Sequence, residues 1–411
     1  MMAIKKIWIY LAVLTLCLPL TIFSFNGVDL PLSDLICVVG IFLSIKYANF
    51  LFTKLLYLAI GLSLISSLFV AIFIAQDFDF RPLYSIIYFF KPYFSIFVAF
   101  YVIRTKNDFN IFCKSTGYFV FFALFPIICS IFFLHNGLVR NESDLNGEIF
   151  GLPLYGSYGV NSLAVYYLLL YFLILFLKYI DEDLGNYLKI IRLISLCILS
   201  YLIFFSLSRE AILGFAALII WYFLQNNSGH IKKIMIGLIA IAGLLFVLSL
   251  DSTSDMWQSK TDQIVESIQQ GDLDRLSSGR IGLYLVALNQ FSHNIIFGNG
   301  FHGFQLYTDT IEGFDTVEGL SPHNQYITTI WKMGLLAAIP YFLALITLYK
   351  MTTPLRGTVK YKFISILLFV VFFILANVWD VLIIPNFSAL LFFFWGAIIK
   401  SASVEKFKKN E

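Results

Sequence analysis

Three short segments carry residue types that could do chemistry: Ser206-Leu207-Ser208-Arg209-Glu210, Ser277-Ser278-Gly279-Arg280 and Ser321-Pro322-His323-Asn324. Each reads as the start of a helix. Ser208 is placed to cap the helix that Arg209 opens. Ser277 or Ser278 can cap a helix whose first residue is Arg280. Ser321 reads as N-cap and Pro322 as first helical residue, which puts His323 in the first turn. A cation at a helix N-terminus is unfavourable, because that end already carries about half a positive charge. The placement makes sense if an anion binds there. Free backbone N–H groups, the helix dipole and an Arg fork together suit a phosphate. Two Arg and one His point to a diphosphate site with a titratable group beside it. Singly, each residue has an ordinary reading: an interfacial Arg that snorkels to lipid phosphate, a solvated loop Arg, a structural His near a Ser-Pro turn. The three together carry the argument.

The elements that must position them are membrane spans. The chain is 59% hydrophobic and 13% charged over 411 residues, against about a quarter charged in a soluble domain. Its apolar residues come in long runs. A span needs roughly 20 of them to cross a hydrocarbon core about 30 Å thick. Runs such as Leu163–Leu177 do not alternate as barrel strands would, so they predict helices. Spans are expected at 7–25, 30–45, 55–75, 84–103, 117–134, 157–177, 193–207, 210–224, 234–250, 324–349, 363–379 and 382–399. The fold class is an all-α integral membrane protein of about twelve transmembrane helices, with one long outer loop containing amphipathic helices. It divides into N-terminal spans (1–134), central spans with a first polar outer loop (135–250), the long loop (251–323) and C-terminal spans with a tail (324–411).

The basic residues orient this threading. With both ends inside, the cytoplasmic segments hold 20 of the 28 Lys and Arg and the outer segments six, as the positive-inside rule requires. The net charge of +3 then reflects orientation, and nucleic acid is not an expected partner. The first apolar run has no small-residue cleavage site after it, so a retained signal anchor is expected. In the long loop, Ile281, Tyr284, Leu285, Leu288, Phe291 and Ile295 fall at helical spacing over 280–296. A second helix is expected over 256–269, with Ile264, Val265 and Ile268 on one face.

At these residues the chain resembles the O-antigen ligase and O-antigen polymerase family. The features that match are Ser208-Arg209 after a mid-chain span, Gly279-Arg280 opening a loop helix, Gly298-Asn299-Gly300 leading to Phe304, and His323-Asn324 with Gly334 some ten residues on. Asn161-Ser162-Leu163-Ala164 at the start of a span also matches. The likeness covers roughly 140–345. It departs at Glu210, where many relatives have Gly, and at Lys332, where an acidic residue is common.

The resemblance implies a glycosyltransferase of the bacterial inner membrane, with its active site at the periplasmic face and both termini cytoplasmic. The donor would be an oligosaccharide on undecaprenyl diphosphate, and the acceptor a glycan or lipid A-core. Membrane lipid is the medium, and a chain-length regulator is a further partner. The implied transfer is inverting and independent of metal or other cofactor. Arg209 and Arg280 would hold the leaving diphosphate. His323, largely neutral at pH 7, would serve the acceptor hydroxyl. Asn161 and Asn324 would bind substrate, orienting the sugar or His323, and Ser208 would also bind substrate. Lys91, an intramembrane cation next to Pro92, joins them as a donor-binding candidate, with snorkelling to the interface as the alternative. The Asp77-Phe78-Asp79 and Asp272-Leu273-Asp274 strings lack a His or third carboxylate beside them, so no metal site is expected. The five cysteines have no metal-ligand spacing.

Within the family, a polymerase is the first expectation and an O-antigen ligase the second. The reading from another class is a polysaccharide-related transporter or flippase. That class would show a pseudo-repeat between halves and ionisable residues near midplane, whereas here the polar residues gather at one face.

Overall fold

A computed structural model describes residues 2–18, 21–25, 28–75, 81–133, 148–149, 152–153, 159–180, 186–206, 208–225, 280–301, 322–378 and 380–408. The expected span at 234–250, the loop helix at 256–269, both Asp-x-Asp strings, Phe304 and the Ser277, Ser278 and Ser321 caps lie outside them.

Helices carry the fold. In chain order they are α1 (Met2–Cys17), α2 (Ser33–Ser44), α3 (Leu51–Phe69), α4 (Arg81–Phe90), α5 (Ser95–Val102), α6 (Lys106–Phe133), α7 (Gly159–Ile180), α8 (Asn186–Phe205), α9 (Arg209–Gln225), α10 (Arg280–His293), α11 (Gln325–Lys350), α12 (Val359–Phe369) and α13 (Pro385–Lys408). A π-helical turn, Val70–Ala75, extends α3, and another, Val370–Ile374, extends α12. Among the described residues five segments are long and apolar enough to cross a membrane: Leu51–Phe73, Leu83–Val102, Asn186–Phe204, Gln325–Leu355 and Val359–Asn377. Shorter apolar helices cover Lys6–Cys17, Leu163–Leu177, Glu210–Trp221 and Asn386–Ser401. The chain is therefore a multi-pass helical membrane protein.

Three helices form the centre. Every side chain of Leu163–Leu177 on α7 is buried except Tyr171, which is partly so, and Ser95–Val102 on α5 and Ala389–Ile399 on α13 are similarly enclosed. Such all-round apolar helices have no polar face to present. Around them α3, α8 and α9 keep one exposed apolar face, with Leu58, Ile65, Ile190, Leu193, Leu213 and Ile220 outward. Exposed aliphatic faces of this kind suit lipid rather than water.

Four expectations are corrected. The apolar run 7–25 is not one helix. It stops at Cys17, and Thr21–Phe25 (β1) pairs antiparallel with Val28–Pro31 (β2), so that Phe25 faces Val28 and Ser24 faces Asp29. Pro19 cannot continue the helix, and Asn26-Gly27 is a strong two-residue hairpin signal between β-favouring runs. A second small hairpin pairs Glu148–Ile149 (β3) with Leu152–Pro153 (β4); two hairpins this short leave the fold class all-α. The segment expected to span at 30–45 is a helix of 12 residues, α2, about 18 Å long at 1.5 Å per residue. The loop helix expected over 280–296 ends at His293. The residues after it turn away to pack on α11, with Gly298 and Gly300 at positive φ of 68° and 70°.

The fourth correction concerns α11, expected as one span over 324–349. It breaks at Gly334, whose φ of 63° and ψ of 177° are not helical. Sixteen residues of straight helix would separate Tyr326 from Phe342 by about 24 Å. Their ring centroids are 6.1 Å apart, so the arms on either side of Gly334 fold toward each other. The break strands backbone groups, and the loop after α10 satisfies them. Asn299 N–H donates to the Trp331 carbonyl at 2.8 Å and Gly300 N–H to that of Lys332 at 3.0 Å. The Leu335 and Leu336 N–H groups donate to the Ile295 and Ile296 carbonyls at 2.9 and 3.1 Å. Irregular backbone persists in a membrane protein only when repaired in this way. A Cβ on Gly298 would lie 2.3 Å from Gly334 N, and one on Gly334 2.2 Å from Ile296 O. Only glycine fits at either position.

Candidate active site

The site is built where α9, α10, α11 and the turn before α13 meet. One residue separates Ser206, at the end of α8, from Ser208. The Ser206 hydroxyl accepts from the Ser208 N–H at 3.2 Å, and the Ser208 carbonyl accepts from Ile212 N–H at 3.0 Å. Ser208 thus sits at the cap position of α9. Its hydroxyl, however, donates to Glu210 Oε2 at 3.0 Å. Glu210 is 4% exposed, and its other oxygen accepts from Arg280 Nη2. This ion pair joins the start of α9 to the start of α10. Glu210, a departure from the family pattern, is therefore the residue that meets Arg280.

His323 is placed differently from the expectation. The helix does not start at Pro322. Asn324 is the N-cap, with φ −144°, and its Oδ1 accepts from the N–H groups of Tyr326 and Ile327 at 3.0 and 3.1 Å. Asparagine is among the best capping residues, and it shifts the boundary by three positions, from Pro322 to Gln325. His323 lies just ahead of the cap at φ +52°. A non-glycine residue there stores about 1–3 kcal/mol of strain. His323 therefore does not belong to the set of cations inside a helix first turn.

The neighbours of His323 define its chemistry. Burial lowers its pKa below the usual value; Asp380 opposes that shift, Arg280 adds to it and Glu210 opposes it. The Tyr284 hydroxyl, on α10, donates to the Asn377 carbonyl at 3.1 Å, and Asn324 Nδ2 donates to the same oxygen at 2.9 Å. That carbonyl, at the C-terminal end of the α12 segment, gathers α10 and α11 around it. Gln325 Oε1 accepts from Leu382 N–H at 3.0 Å, which fixes the turn carrying Asp380. On the far side of the loop helix, Trp331 Nε1 donates to Gln290 Oε1 at 2.9 Å. Ala287 and Trp331 form a small apolar cluster there with Val286, Phe291 and Ile327. These contacts hold α10 against α11.

Asp380 escaped the sequence reading. It is buried, and its charge acts on His323, Tyr284 and Lys332. A carboxylate in a short turn between two apolar runs was the available signal, since ionisable residues at membrane depth are functional candidates by default. Lys332 places its ammonium over the rings of Phe301 and Trp331, 5.5 and 5.9 Å from their centroids.

The remaining expected residues are placed as follows. The backbone of Arg209 opens α9, and that of Asn161 lies in the first turn of α7; their side chains are not among those described. Lys91 is 7% exposed and does not snorkel. It donates to Asp34 Oδ2 at 2.6 Å and lies 4.3 Å from the Tyr88 ring centroid. The pair ties the interruption between α4 and α5, at Lys91-Pro92, to the first turn of α2.

The described residues thus form a multi-pass helical membrane protein in which Glu210 and Asp380 are buried, and Arg280 and His323 partly buried, at helix ends. Residues 194–342 match the model of the family described as O-antigen ligase. The match runs from α8 into α11 and contains Ser208, Arg209, Glu210, Arg280, His323 and Asn324. No curated protein matches the chain.

Proposed function

We propose that the protein is an O-antigen polymerase. It would transfer a glycan from undecaprenyl diphosphate to the hydroxyl of an acceptor sugar, at the periplasmic face of the bacterial inner membrane. The observation that carries the reading is the meeting of Arg280, Glu210, His323 and Asp380 from four separate segments, inside the stretch that matches the family.

In the reaction the acceptor oxygen attacks the anomeric carbon while the bond from that carbon to the diphosphate breaks. The bonding pair leaves with the diphosphate. The hydroxyl proton passes to the His323 imidazole, which burial keeps neutral. Negative charge grows on the leaving diphosphate, and preorganised donors aimed at growing charge are usually the largest catalytic contribution. Arg280 and Arg209 supply that role, which a metal fills in other sugar transferases. Asp380 stabilises the imidazolium once formed. Inversion follows from a single displacement.

The family description favours a second reading, an O-antigen ligase that moves finished polymer to lipid A-core. The same residues would serve it. Deleting the gene and running lipopolysaccharide on a gel separates the two. Loss of a polymerase leaves core carrying a single repeat unit; loss of a ligase leaves bare core. A deletion strain with normal lipopolysaccharide sinks both.

A further inference from the structure

We infer that the crevice between the long arm of α11 and α12 holds the diphosphate-proximal part of the donor's polyprenyl chain. The inference rests on the transferase reading above and adds where the lipid lies. The crevice has a volume of about 480 Å³, within the usual range of ligand pockets, about 300–1,000 Å³. Its walls include Leu345 on α11 and Leu368 on α12, and its lining is almost wholly apolar or aromatic.

Its position singles out the occupant. Tyr326 and Phe372 both line it, and the Tyr326 hydroxyl donates to the Phe372 carbonyl. Tyr326 is two residues from Asn324 and three from His323. Asn377, five residues from Phe372, accepts from both Asn324 and Tyr284. The polar cluster therefore adjoins one end of the crevice. From Phe373 the lining continues to Ser365, about 12 Å further along the helix at 1.5 Å per residue. A ligand with an anionic head and a long apolar tail matches that sequence of surfaces. The fold of α11 at Gly334 creates the arrangement, because it brings Tyr326 beside Phe342.

The side is open as a membrane lipid requires. Ile346 and Phe373, on the rim, are 50% and 69% exposed. A donor can slide in from the bilayer without passing its chain through water.

The test uses the full chain in lipid nanodiscs and an undecaprenyl diphosphate analogue with a photoreactive diazirine close to the diphosphate. Adducts should map to 342–349 and 365–373. Unlabelled undecaprenyl diphosphate should displace them, and phosphatidylglycerol should not. Adducts elsewhere, or equal displacement by phosphatidylglycerol, overturn the inference. Transfer by wild type and by Arg280→Ala is measured on the same preparations. If Arg280→Ala loses transfer while adducts map elsewhere, the crevice assignment fails and the transferase reading stands. If wild type neither transfers glycan nor gives displaceable adducts, both fail. Leu345→Trp, which fills the crevice, should raise KM for the donor about tenfold with a smaller change in kcat. A folded Leu345→Trp protein with unchanged KM contradicts the assignment.

Discussion

The Arg280 guanidinium, on the loop helix, donates to the Glu210 carboxylate at the start of α9. The pair closes the loop helix onto the membrane helices and keeps the guanidinium within electrostatic reach of His323. It also makes the two residues unequal. On the proposed reading Arg280 holds the diphosphate and Glu210 positions Arg280. Arg280→Ala should cost about 10²–10³ in kcat, as removal of one preorganised donor does. Glu210→Gln keeps one acceptor oxygen for Arg280, leaves its amide N–H to donate to the Ser208 hydroxyl, and should cost about tenfold or less. Glycan transfer by purified variants checks this. A larger loss in Glu210→Gln than in Arg280→Ala would make the carboxylate, not the guanidinium, the reacting group.

On the proposed mechanism His323 should set the acid limb of the pH profile. Its pKa is lowered by burial, so the neutral, proton-accepting form persists below the ordinary value of about 6.5. Log kcat/KM should be flat near neutrality and fall with unit slope at a pH below about 6.5. Stability has the same sign. The unfolded chain binds the proton more readily than the folded one, so this contribution is present above the unfolded pKa and is lost as pH falls. His323→Ala should abolish the limb along with turnover. A limb that survives in residual His323→Ala activity assigns the titration to another group.

Gly298 and Gly334 should tolerate no side chain. At each a Cβ would strike backbone, and φ is positive. Gly334→Ala should lower the melting temperature and free the loop, since the strained φ alone costs about 1–3 kcal/mol. Thermal melts and limited proteolysis between 270 and 300 report both effects. A wild-type melt with an equally protected loop would mean that the break in α11 is not fixed by Gly334.

Lys91 and Asp34 form a buried pair. Removing one partner of such a pair typically costs about 3–5 kcal/mol, and removing both costs much less. Lys91→Met should destabilise the protein, and Lys91→Met with Asp34→Asn should recover most of the loss. If the double variant is stable but has a raised donor KM, Lys91 also binds the donor. If its turnover is normal, the pair is structural.

Hydropathy located the helices because lipid leaves the backbone no alternative. It could not locate their interruptions, which depend on single residues. The break at Gly334 needs a left-handed φ and a loop 35 residues earlier to repair it, and nothing in the periodicity of 324–349 shows either. Asn26-Gly27 was legible as a turn, but the apolar run around it read as span. At the site, Arg280 and His323 stood out by type and spacing. Glu210 and Asp380 did not, because the pairing of Glu210 with Arg280 and the field of Asp380 at His323 exist only in three dimensions. Both functional groups of the Asn324 side chain serve the backbone, so of the two roles the resemblance implies for it, orienting the sugar or orienting His323, the second needs no further contact.

The central claim is that this cluster joins a glycan to an acceptor with loss of the polyprenyl diphosphate. Its most direct test is reconstitution of the full chain in liposomes with an undecaprenyl-diphosphate-linked repeat unit. Free undecaprenyl diphosphate and glycan length are followed together. Wild type should release one undecaprenyl diphosphate per glycosidic bond formed, and Arg280→Ala and His323→Ala should release almost none at equal protein. Equal rates in all three proteins would contradict the account, as would lipid movement across the bilayer by wild type with no bond formed.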